Sequence, residues 1–149
     1  MATTIRGNDN WDSSLPSNVV SATNDTEVAI ATTSWVDIGL SVSITLASTA
    51  SKVKLEYAIQ NFLINTANTG ISFRLVRDST PLFTAGHGYS TYTGTGSNHL
   101  TTSNIEIDSP ASTAAITYKV QARGHSATLV TISNASLYRN TLIATEISG

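Results

Sequence analysis

Apolar residues recur at every second position in one segment after another of this chain, a period that fits strands and excludes helices. Val42, Ile44 and Leu46 alternate with Ser41, Ser43 and Thr45. Val53, Leu55, Tyr57 and Ile59 alternate with Lys52, Lys54 and Glu56, and apolar sequence runs on through Phe62, Leu63 and Ile64, so this strand is long or bulged. Ile71, Phe73 and Leu75 flank Arg74, and Ile116, Tyr118 and Val120 alternate with Thr117, Lys119 and Gln121. Further strands are expected over residues 26–33, 35–38, 82–85, 100–107, 128–133 and 141–147, with turns at 48–51, 65–70 and 78–81. Residues 86–98 read as the longest loop. Many short strands without a helical period predict an all-β fold, an antiparallel β-sandwich or jelly roll, over residues 26–149.

Residues 1–25 differ. Asn8, Asp9, Asn10, Asp12, Ser13, Ser14, Pro16, Ser17 and Asn18 make a polar, turn-rich stretch, read as an extended N-terminal arm in which a strand begins near Val19. Trp11 and Leu15 are its expected anchors, because a Trp left in water forfeits a large burial gain.

Charged residues are 12% of the chain, about half the usual share, and Ser and Thr replace them. Branched Thr suits a pleated surface. A net charge of −2 argues against nucleic acid, which needs clustered Lys and Arg. No apolar run reaches the roughly 20 residues of a membrane-crossing helix, and the N-terminus has no secretory pattern, so synthesis in a cytoplasm is expected. No cysteine is present, so disulfides play no part.

Catalytic chemistry finds little to work with. His87, His99 and His125 lie in no nucleophile motif and lack close metal-ligand spacing. Glu106 and Asp108 alternate with Ile105 and Ile107, which places both acids on one face of a strand end, read as the solvent face; a carboxylate pair there is the weak case for a glycosidase. The expectation is a protein that is not an enzyme and has no cofactor or metal. In residues 86–98, His87, Tyr89 and Tyr92 among Gly, Ser and Thr have the make-up of a contact loop. Apolar residues on more than one strand face, in 58–64 and 141–147, point to self-association.

Five segments in order, ATTSWVDIGLSVSIT at 31–45, STASKVKLEYAI at 48–59, FRLVRDSTPL at 73–82, DSPASTAAITYKVQ at 108–121 and TLIATEIS at 141–148, resemble the C-terminal β-domains of bacteriophage tail fibres. The resemblance implies a jelly-roll-like module, a homotrimer, no catalysis and a place on the virion surface. Met1 lies close before the first matching segment, so no fibre shaft is expected within this chain. The reading that follows is a capsid decoration or cement protein whose arm docks on the major capsid protein or another virion protein. The alternative is a tail-fibre tip or receptor-binding protein whose 86–98 loop meets host surface polysaccharide.

Overall fold

The structure, a computed structural model, describes residues 18–82, 91–93, 98–127, 129–132 and 138–149. These form eleven strands: β1 Val19–Asn24, β2 Val28–Ile30, β3 Val36–Thr45, β4 Lys52–Ile64, β5 Thr69–Arg77, β6 Thr80–Pro81, β7 Thr91–Thr93, β8 Asn98–Asp108, β9 Ala115–Gly124, β10 Val130–Ile132 and β11 Asn140–Ile147. All pair antiparallel, in two sheets, and no helix occurs among the described residues. The fold is the expected all-β sandwich.

In the six-stranded sheet the long β4 is the centre. One of its edges pairs with β8; the other pairs with β11 along 52–58 and with β10 along 62–64. β1 extends the sheet beyond β11, and β2 beyond β10. The five-stranded sheet runs β3-β9-β5, with β6 and β7 on the far side of β5. The alternating apolar sets meet between the sheets: Leu40, Val42 and Ile44 of β3, Val53, Leu55 and Ile59 of β4, Phe73 and Leu75 of β5, Tyr118 and Val120 of β9, and Leu142 and Ala144 of β11 are all buried. Phe62 and Phe73 contact edge to face across the core, with centroids 5.4 Å apart.

Several expected boundaries shift. The stretches 35–38 and 40–46 are one strand, β3, interrupted by a register shift between Asp37 and Ser41. Gly39 sits in that shift with φ 78°, and a Cβ there would lie 2.6 Å from Asn24 Nδ2. That amide instead donates to the Ile38 carbonyl at 2.8 Å, tying β1 to the other sheet. Residues 19–24 of the N-terminal stretch are therefore a full strand on β11, while 1–17 lie outside the described residues.

The β4 irregularity between Ile59 and Phe62 explains the unbroken apolar run. It turns Ile59, Phe62 and Ile64 all inward, so those side chains are core and not the second apolar face read from the sequence. The loop expected over 86–98 contains β7, which pairs with Thr69–Ile71; β5 accordingly starts inside the turn expected at 65–70. The strand expected at 82–85 is displaced to Thr80–Pro81, and 83–85 lie outside the described residues.

Candidate functional site

The largest departure from the sequence reading is the orientation of β8. Pairing places Asp108 opposite Val53 and Glu106 opposite Leu55, both core residues of β4, while Ile107 and Ile105 stand opposite Lys54 and Glu56. The acids therefore face inward and the isoleucines outward, the reverse of the expected solvent-facing carboxylates. Ile105 is 59% exposed and Ile107 48%. In this register Asp108 is bonded to both other strands that face it across the core. Its two carboxylate oxygens accept from Arg77 Nη1 at 2.8 and 2.9 Å, and Oδ2 accepts from the Tyr118 hydroxyl at 2.6 Å. Burial, then the neighbouring carboxylate, pushes the Tyr118 hydroxyl well above its ordinary pKa. A carboxylate bound in this way by an Arg and a Tyr is a strut between β8, β5 and β9. The paired-acid reading for glycoside cleavage loses its geometry.

The outer face of the six-stranded sheet follows from that register. Cross-strand partners line up as Thr145, Lys54 and Ile107, then as Ile143, Glu56 and Ile105, then as Thr141, Ala58 and Ser103. Ile147 and Val19, both exposed, extend the apolar surface along β11 and β1. Lys54 and Glu56 pair with each other at 3.0 Å in the middle of it. A shallow depression of about 250 Å³ opens over Ala58, walled by Glu56, Ile105, Thr141 and Ile143, and a second, reaching Gln60, Thr101 and Tyr138, adjoins it. β8 is paired only through β4 among the described residues, which leaves one long backbone edge beside this face.

The outer face of the five-stranded sheet is of another kind. Asp37 of β3, Gln121 of β9 and Arg74 of β5 are direct cross-strand partners in one row. Gln121 Oε1 accepts from Arg74 Nε at 2.9 Å and Nη2 at 2.7 Å, and Gln121 Nε2 donates to Asp37 Oδ1 at 2.6 Å. Lys119 Nζ donates to Asp37 Oδ2 at 3.0 Å. Burial raises the Asp37 carboxyl, but the hydrogen bonds from Gln121 and Lys119 and the charges of Lys119 and Arg74 outweigh it and hold the group below its ordinary pKa. Beside this row the Trp35 ring lies against two guanidinium groups, with Arg74 4.3 Å and Arg123 4.7 Å from its centroid. The sequence offers no local signal for this cluster, whose members come from three separate strands or their ends.

Of the residues singled out from sequence, Trp11, Leu15, His87 and Tyr89 lie outside the described residues, and Tyr92 sits on β7 opposite Gly70. His99 Nδ1 shares a hydrogen bond with Asn61 Oδ1 at 3.0 Å, and the His125 backbone N–H donates to the Gly70 carbonyl. These histidines are thus held at separate places in the fold.

No protein-family model and no curated protein matches the chain. Among solved structures it is similar to the VP2 subviral particle of infectious bursal disease virus, at 12% identity and a TM-score of 0.43 over 89% of this chain. It is also similar to a structure of the Gx strain of that virus, at 16% identity and a TM-score of 0.38 over 90% of this chain. The chain spans 38% and 33% of the length of those two proteins. These matches are to virus proteins that are not phage tail fibres. At such identities and TM-scores they assign no role.

Proposed function

We propose that this protein is a non-enzymatic structural module of a virus particle that works as an assembly of identical copies, decorating the shell of a bacteriophage. The observation that carries the reading is the outer face of the six-stranded sheet, where exposed Ile105, Ile107 and Ile147 and half-buried Ile143 surround the Lys54–Glu56 pair, beside the edge of β8 that is unpaired among the described residues. Outward isoleucines on a long edge strand are what a lone sandwich avoids and what a subunit contact uses. The low share of charged residues in the chain as a whole, 12%, fits a protein that buries surface against other copies. The virion setting and the trimer come from the five sequence segments that resemble phage tail-fibre tips, and attachment to a neighbouring virion protein is assigned to Trp11 and Leu15 of the N-terminal stretch read from sequence as an arm over 1–25.

The test is the mass of the purified protein by light scattering, with its binding to emptied capsids and to host cells measured side by side. A trimer that binds capsids saturably supports the proposal. Binding to cells alone would replace decoration with host attachment, and a monomer at all concentrations would remove the assembly reading.

A further inference from the structure

The assembly reading leaves the other outer face unused. Arg74 and Arg123 are both held against the Trp35 ring, 4.3 and 4.7 Å from its centroid. Burial first, then the charge of Arg123, lowers the Arg74 pKa. Nearby, Lys119 adds a third cation and Asp37 is the one carboxylate bonded into the row. Among the described residues Arg123 forms no ion pair. Two guanidiniums stacked on one indole gain cation–π attraction and bring two positive charges together on one outer face of the sheet.

The rest of the row is ordered in advance. Gln121 takes both Nε and Nη2 of Arg74 on a single oxygen, which fixes the plane of the guanidinium and leaves its Nη1 side unspent by that bond. Gln121 is itself oriented by Asp37, and Asp37 by Lys119. A planar fork fixed before binding recognises oxyanions at low entropic cost. Asp37 narrows the class of ligand further. It is exposed on the same face, and a carboxylate beside an anion-binding pair repels a bare anion but accepts from a hydroxyl. Donors at one end and an acceptor at the other, spread over three adjacent strands and so roughly 10 Å, fit a molecule carrying an acidic group and hydroxyls together.

We propose that Trp35, Arg74, Arg123, Gln121 and Asp37 form a binding site for an acidic saccharide, in which Arg74 and Arg123 hold a carboxylate or sulfate group and Asp37 accepts a sugar hydroxyl. The site lies on the five-stranded sheet, opposite the proposed assembly face, so either proposal can fail without the other.

The probe is a glucuronate tetrasaccharide, compared at equal concentration with a neutral glucose tetrasaccharide, inorganic sulfate and a tetraglutamate peptide. Trp35 emission is read in a Trp11→Phe background, since the chain has only these two tryptophans. Amide chemical shifts of the wild-type protein locate the contact independently of any variant. The expected result is a saturable change with the acidic sugar alone, shifts centred on Arg74, Gln121 and Arg123, and affinity at least tenfold weaker in Arg123→Gln. Asp37→Asn should weaken the acidic sugar and relax the discrimination against sulfate. An equal response to sulfate would reduce the site to a simple anion contact, and an equal response to tetraglutamate would make it a protein-binding patch. Either outcome overturns the saccharide assignment, as does no response to any probe.

Discussion

At the end of β8, over 105–108, the exposed side chains are Ile105 and Ile107; on β9, in the opposite sheet, the outward side chains over 119–123 are the half-buried Lys119, Gln121 and Arg123. Both strands contribute to the same interior, β9 through Tyr118 and Val120 and β8 through Leu100 and Asp108. The difference shows where selection on this fold has room to act. The inner positions of each strand must fill one shared core, so their chemistry converges. The outer positions answer to whatever each sheet meets next, and here one answers with branched aliphatics and the other with an ordered polar row.

The largest expected effect comes from cutting the strut that ties β8 to β5 and β9. Asp108→Ala removes one partner of a largely buried pair and strands Arg77 and the Tyr118 hydroxyl, a loss of roughly 3 kcal/mol. Denaturant unfolding measures the loss. Hydrogen exchange should accelerate along 103–108 while 119–123 stay protected. A loss under about 1 kcal/mol, within the range of ordinary surface changes, would mean that the β8 register does not depend on this carboxylate.

The paired change Ile105→Lys and Ile107→Lys should act the other way round. It should leave the unfolding free energy within about 0.5 kcal/mol, as for surface positions, yet drop the mass by light scattering to that of one chain. An unchanged assembly would shift the proposed contact off this face.

The interior that both faces share is tested by base. Burial pushes the Tyr57 hydroxyl up to about 12, and Tyr118 is raised as well. An acid whose folded pKa is raised favours the fold while it stays neutral. The contribution is therefore complete below the ordinary tyrosine value of about 10 and fades as pH climbs toward 12. Phenolate absorbance of these tyrosines should appear together with loss of structure; ionisation well before unfolding would contradict their burial.

The smallest effect is expected on the polar row. Lys119→Ala removes a mostly exposed ion pair and should cost less than about 1 kcal/mol, with salt erasing most of it. Asp37, held low, contributes above the usual carboxylate range near 4 and loses that contribution as pH falls through its lowered folded value. A stability difference between wild type and Asp37→Asn that persists at pH 2 would contradict the ion-pair reading.

The strands with one clean alternation, β3, β9 and the first half of β4, were legible from sequence because their apolar and polar sets are unambiguous and only one face can be buried. On β11 the pattern separated Leu142 and Ala144 from Ile143 and Ile147 without saying which pair is inside; the fold buries the first pair and leaves Ile147 exposed. In β8 both alternating sets contain residues with a reason to be inside: Ile105 and Ile107 by hydrophobicity, Asp108 by its bond to Arg77 and Tyr118. Local pattern cannot rank those, since the partners of Asp108 lie 31 and 10 residues away. Trp35, Arg74 and Arg123 were equally silent, each an ordinary residue until β3, β9 and β5 are laid side by side. The sequence by itself determined an all-β chain and the identity of most of its core, because burial of period-two apolar sets is a local demand. Tertiary structure alone decided which face of β8 meets solvent and which cations share a tryptophan, because pairing register and long-range ion pairs set both.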